Sequence, residues 1–102
     1  MTPYLSELRI GTLALEPKFD PWKTRYEAST HVGGGTSEIE YEIESQEEIT
    51  PMITVSQNSV VRVNGNTLTW IDGKSGNAWL RISMSAQGQN VVYAVYLTQR
   101  AG

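Results

Sequence analysis

Apolar and polar residues alternate with a period of two along most of this chain, and nowhere does an apolar period of 3.6 residues persist for three turns. The clearest run is Glu38-Ile39-Glu40-Tyr41-Glu42-Ile43-Glu44. In a strand, successive side chains point to opposite faces, so Ile39, Tyr41 and Ile43 are predicted to face a core while the four glutamates face water. Its flanks, Gly33-Gly34-Gly35 and Ser45-Gln46, read as turns. Tyr4–Ile10 offers Leu8 and Ile10 to one face, and residues 25–32 offer Tyr26, Ala28, Thr30 and Val32. Residues 53–55 are a candidate short edge strand, where Pro51 would limit onward pairing, within a stretch, 45–58, whose strand assignment the pattern leaves open.

Two hairpins complete the pattern. Ser59-Val60-Val61-Arg62-Val63 and Asn66-Thr67-Leu68-Thr69-Trp70-Ile71 flank Asn64-Gly65, which suits a two-residue type I′ turn because both residues tolerate positive φ. That turn pairs Val61 with Leu68 and Ser59 with Trp70, and places Val61, Val63, Leu68 and Trp70 on the core side. Residues 78–84 point Leu80, Ile82 and Met84 inward, and residues 91–98 point Tyr93, Val95 and Leu97 inward, with Gln87-Gly88-Gln89-Asn90 turning the chain between them. The prediction is an all-β chain of seven to eight short antiparallel strands forming a β-sandwich, with helix nearly absent.

Length and composition narrow the picture. One hundred and two residues predict a single domain over 1–102, large enough to bury a core without a staple. The absence of Cys removes disulfide scaffolds, zinc fingers, thiol nucleophiles and iron–sulfur sites. A net charge of −3 and a pI near 5.0 disfavour nucleic-acid binding, which needs a basic footprint. No apolar run approaches the ~18 residues of a membrane span. The start, Met1-Thr2-Pro3-Tyr4, lacks the basic and apolar segments of a signal peptide.

Around residues 5–26 the spacing becomes more specific. Leu5-Ser6-Glu7-Leu8-Arg9-Ile10 precedes Leu15-Glu16-Pro17-Lys18-Phe19-Asp20-Pro21, and Tyr26 follows five residues after Pro21. This opening resembles that of the cadherin-like β-sandwich family of bacterial surface and phage proteins, roughly L-S-x-L-x-V and then L-x-P-x-F-x-P-x-x-x-x-Y. The prolines would stiffen a crossing between sheets, Phe19 would plug the end of the core, and Tyr26 would begin the next inward stripe. Val61-Arg62-Val63-Asn64-Gly65 is similar to the family's V-x-V-N-G hairpin, and Leu80 through Leu97 follow the spacing of its closing hairpin, while residues 45–58 depart from the pattern. The resemblance implies an immunoglobulin-like β-sandwich used for structure or adhesion, without catalytic activity. It does not imply calcium-dependent adhesion, because Asp20 and Asp72 are the only aspartates and neither sits in a calcium motif.

Few residues suggest chemistry. Gly73-Lys74-Ser75 looks like the end of a phosphate loop, but Leu68 stands where the first Gly is needed, so a turn is expected. His31 is the lone histidine, at a strand end before three glycines, and is read as solvent-facing. The stripe Glu38, Glu40, Glu42 and Glu44 is read first as a solvated face that deters aggregation and second as a dock for a basic surface. Alternate residues on one strand lie about 6.5–7 Å apart, too far to gather the oxygens that Ca²⁺ prefers. Nor do these glutamates converge on a cleft as a glycosidase pair. Lys18, Lys23 and Lys74 fall in loops, which argues against an isopeptide link. No catalytic, metal or cofactor site is expected.

The outward face of the closing hairpin is more informative. If Ile82 faces Tyr93, antiparallel pairing sets Trp79 opposite Tyr96, Arg81 opposite Ala94 and Ser83 opposite Val92. Trp79, Arg81, Val92 and Tyr96 together have the composition of a protein–protein hot spot, and Trp22 on the loop after Pro21 is a further exposed aromatic. The blander alternative is an ordinary cross-strand aromatic pair.

The leading expectation is a non-catalytic interaction module that binds other protein subunits. A chain of this length without a signal peptide fits a small bacteriophage virion component made in the cytoplasm, such as a tail or capsid decoration protein. The alternatives are a repeat excised from a bacterial cell-surface adhesin and a carbohydrate-binding module using Trp22, Trp79 or Trp70, the last of which is expected in the core.

Overall fold

The alternation resolves into eight strands in the computed structural model, which describes residues 2–31, 33–56 and 60–100. They are β1 (Tyr4–Ile10), β2 (Arg25–His31), β3 (Gly35–Glu44), β4 (Met52–Val55), β5 (Val61–Asn64), β6 (Thr67–Trp70), β7 (Gly76–Ala86) and β8 (Gln89–Arg100). One four-stranded sheet has the order β1-β3-β6-β5 and the other β2-β8-β7-β4. Both sheets contribute to one cluster of buried side chains, an arrangement that fits a β-sandwich. Leu8, Ile10, Ile39, Leu68 and Trp70 come from the first sheet, and Tyr26, Leu80, Ile82, Tyr93, Val95 and Leu97 from the second.

Along β3, Ile39 is buried, Tyr41 and Ile43 pack partly buried against the core, and all four glutamates are exposed. β1 departs from strict alternation. Its register with β3 slips between Leu5 and Glu7, so that Leu5 pairs with Ile43 and Leu8 with Tyr41. This bulge at Ser6 turns Leu5 to the same side as Leu8 and Ile10, and Leu5 becomes fully buried.

Three expectations need correction. The strands are not all antiparallel: β2 runs parallel to β8, with Arg25 beside Ala94 and His31 beside Arg100. The long crossing over residues 11–24 carries the chain from the first sheet to the second, and β2 arrives there with no hairpin partner, so it lies along the sheet edge left by β8. Val32, expected at the end of its inward stripe, lies outside the described residues.

The second correction concerns the β5–β6 hairpin. Its loop is Gly65-Asn66, not Asn64-Gly65, and Val61 pairs with Trp70 and Val63 with Leu68. Gly65 takes a φ of +61°, and Asn66 keeps a negative φ, the sign pattern of a type II′ turn with its glycine first. The slip is two residues, an even number, so Val61, Val63, Leu68 and Trp70 keep their common side. Ser59, expected opposite Trp70, is outside the described residues.

The third correction is the last turn. Only Gln87 and Gly88 form it, at φ of +51° and +77°, and Gln89 and Asn90 already belong to β8. Both φ values are positive, so this loop has the type I′ signature that the sequence suggested for the other hairpin.

Candidate functional site

Two sets of buried polar side chains fix the loops that frame the second sheet. Between β1 and β2, Phe19 stacks on Tyr26 with ring centroids 5.7 Å apart and packs against Tyr93 at 6.4 Å. The Tyr26 hydroxyl accepts from the Asp20 amide at 3.0 Å and has the carbonyls of Asp20 and Lys23 within donating reach at 2.7 and 2.8 Å. The Tyr93 hydroxyl donates to the Pro21 carbonyl at 2.8 Å and accepts from the Leu5 amide at 3.1 Å. Burial pushes both phenols above the usual 10.0, partly offset by the backbone hydrogen bonds to Asp20 and Leu5. The loop that delivers Arg25 to the start of β2 is thus anchored through the core.

At the far end of β8, Gln99 is only 1% exposed, and its amide donates to the carbonyls of Ile71 at 2.8 Å and Lys74 at 2.6 Å. Gly73-Lys74-Ser75 is part of the connection so held, between strands β6 and β7 rather than at the head of a helix. It is a turn. His31 is exposed at the end of β2.

The outward face of the second sheet gathers the candidate residues. β7 and β8 pair Trp79 with Tyr96, Arg81 with Ala94 and Ser83 with Val92. The rings of Trp79 and Tyr96 sit 4.8 Å apart, tilted by 52°. Arg81 lies over the Trp79 ring at 5.7 Å from its centroid, and Arg25 of β2 lies over the same ring at 5.9 Å. Val92 is 42% exposed, and Met52 of β4, paired with Ser83 on its other side, is 67% exposed. Shallow hollows adjoin Trp79: one of about 420 Å³ lined by Pro17, Arg25 and Glu27, and one of about 220 Å³ lined by Thr24, Arg81, Val92 and Ala94, with Arg25 shared.

Trp79, Arg81, Val92 and Tyr96 therefore share one face. Trp22 is not part of that cluster. It is 76% exposed and packs on Tyr4 of β1, with ring centroids 5.0 Å apart. Trp70 is buried, its indole N–H donating to the Ser37 hydroxyl at 3.0 Å. Sequence reasoning missed Arg25 and Met52. Arg25 could have been placed only by knowing that β2 adds alongside β8, and Met52 only by knowing which strand β4 pairs with.

The glutamate stripe occupies the outward face of the other sheet. β3 lies between β1 and β6, but β6 pairs only with Gly35–Glu38, so the stripe covers a sheet face and its Glu40, Glu42 and Glu44 lie on a stretch that β1 alone pairs. Glu40 pairs with Arg9 at 2.8 Å, an exposed ion pair worth about 0.2–1 kcal/mol. Glu38 accepts from the Thr67 hydroxyl at 2.8 Å. Glu42 stands opposite Glu7 across the strands, and the Glu7 carboxylate lies 3.8 Å from Arg9.

Among the described residues no three His, Asp or Glu side chains gather as a metal site, and no helix is long and apolar enough to cross a membrane. No family model, curated protein or solved structure matches the chain.

Proposed function

We propose that this chain is a non-catalytic structural module of immunoglobulin-like architecture that docks onto other protein subunits through the outward face of the β2-β8-β7-β4 sheet. One observation carries the reading: Trp79 and Tyr96 lie in contact on the two central strands, flanked by Arg25 and Arg81 and bordered by exposed Val92 and Met52. Aromatic and Arg anchors at the middle of an exposed patch are the composition of an interface hot spot. The two-sheet order supports the immunoglobulin-like assignment, since the chain crosses between layers and does not run up and down a closed barrel.

The resemblance of residues 5–26 to the cadherin-like β-sandwich family directs the proposal to an assembly of that kind, first a bacteriophage particle and second a bacterial surface adhesin. Carbohydrate binding has less support. Trp70 is in the core and Trp22 packs on β1, so Trp79 has a tyrosine and two guanidinium groups beside it where a sugar platform would align indoles.

A photo-crosslinking amino acid at Val92, incorporated in the source culture, tests the reading. The expected product is a crosslink to a virion subunit that is lost with Trp79→Ala, because removing a central aromatic anchor costs about 2 kcal/mol or more of binding. A crosslink to an envelope polypeptide would move the assignment to the adhesin. No crosslink to any protein would overturn the docking surface.

A further inference from the structure

The outward faces of the two sheets carry opposite charge. On the first sheet the outward strand positions hold Glu7, Glu38, Glu40, Glu42 and Glu44 against Arg9 and Arg62. On the second they hold Arg25, Arg81 and Arg100 against Glu27, with Glu16 of the preceding loop beside Glu27. Among the described residues both ion pairs belong to Arg9, and Arg25 and Arg81 lie against the Trp79 ring with no carboxylate in ion-pair range.

The register explains why a space is left between these two guanidinium groups. Arg25, Ala94 and Arg81 stand abreast on β2, β8 and β7, and the middle residue contributes only a methyl group. The result is the hollow of about 220 Å³, with an arginine on either side and the indole of Trp79 in its lining. An uncharged ligand would leave both guanidinium groups unpaired, whereas a carboxylate side chain would accept hydrogen bonds from them.

The opposite face supplies such carboxylates in excess at one end. Arg9 engages Glu40 and lies 3.8 Å from Glu7, and Thr67 engages Glu38, which leaves Glu42 and Glu44, successive outward residues of β3, without an ion pair among the described residues. Two adjacent carboxylates without a cation gain from any guanidinium brought between them.

We propose that the hollow between Arg25 and Arg81 receives glutamate side chains, Glu42 and Glu44, from a second copy of this chain. The inference rests on the docking reading above and names its occupant. The donor and the acceptor lie on opposite faces, so the contact is head-to-tail: the copy that gives its glutamates keeps a free hollow, and the copy that receives them keeps free glutamates. Repetition of such a contact closes into a ring or propagates as a filament.

Sedimentation velocity of the whole chain over a concentration series tests this. The wild-type protein is expected to self-associate, with the association constant falling at least about tenfold between about 0.05 M and about 0.5 M salt, as charge screening requires. The double variants Arg25→Glu/Arg81→Glu and Glu42→Arg/Glu44→Arg are each expected to sediment as monomers. Mixed together they are expected to associate again, because each supplies the half that the other lacks. A wild-type chain that stays monomeric at every concentration, or whose association neither variant alters, would overturn the proposal. If Val92 then crosslinks to a different protein, the second copy fails as occupant and the docking surface stands. If Val92 crosslinks to nothing, both readings fail.

Discussion

Tyr26 and Tyr93 have apolar bodies in the core and hydroxyls that hold the loop of residues 17–24. The sequence marked both positions as inward by alternation alone. It could not show that their hydroxyls reach across to Asp20, Pro21 and Leu5, because that depends on where a long connection folds back; the Leu5–Tyr93 bond joins residues 88 positions apart. Tyr93→Phe removes a donor from the Pro21 carbonyl and an acceptor from the Leu5 amide, and is expected to cost about 1–3 kcal/mol at neutral pH by urea unfolding. The same residues set an alkaline limit. Folding raises both phenol pKa values above 10.0, so the folded state holds these protons more tightly than the unfolded chain does. That contribution to stability is complete below pH 10 and is lost as the pH rises through the raised values. Unfolding midpoints measured upward from neutral pH should therefore fall past pH 10, and Tyr93→Phe should flatten the fall.

At the level of elements, the closing hairpin was the most legible part of the chain and β2 the least. Leu80, Ile82 and Met84 face Val95, Tyr93 and Val91 across a tight turn, so local alternation is enough to fix the register and with it the Trp79–Tyr96 contact. β2 has no neighbour in sequence to pair with, and nothing local announces a parallel partner at the other end of the chain. The bulge at Ser6 hid Leu5 from a period-two reading for a related reason: it takes a partner strand to show the slip. The β5–β6 loop was misplaced because Asn64-Gly65 and Gly65-Asn66 are both good turn dipeptides, and the choice is decided by which position takes the positive φ. The β7–β8 turn leads to a prediction. Gln87 adopts φ +51°, a conformation that costs most side chains about 1–2 kcal/mol and Asn less. Gln87→Asn is expected to stabilise the chain by about 0.5 kcal/mol, seen as a higher urea midpoint with an unchanged slope.

Taken whole, the molecule has two layers whose outward surfaces differ in chemistry: glutamates along the middle of one, aromatic and arginine side chains along the middle of the other. The acidic half was visible in the sequence because all four glutamates lie on one strand. The other half is assembled from β2, β7, β8 and β4, and it exists only once residues from both ends of the chain are side by side. That closure also sets an order on biosynthesis. β8 lies between β2 and β7, so on the ribosome Tyr26 and Ala28 emerge early but cannot be covered until residues 89–100 have followed them out. At translation rates of about 5–20 residues per second, the apolar stripe of β2 waits for several seconds without its partner. Nascent chains arrested before β8 emerges are expected to be cut by protease within β2, and full-length released chains to be protected there. The first sheet has no such dependence, since β1, β3, β5 and β6 all precede β7. The acidic layer can form while its counterpart is still being made, and a nascent chain on a crowded polysome would show neighbours its glutamate face before its aromatic and arginine face.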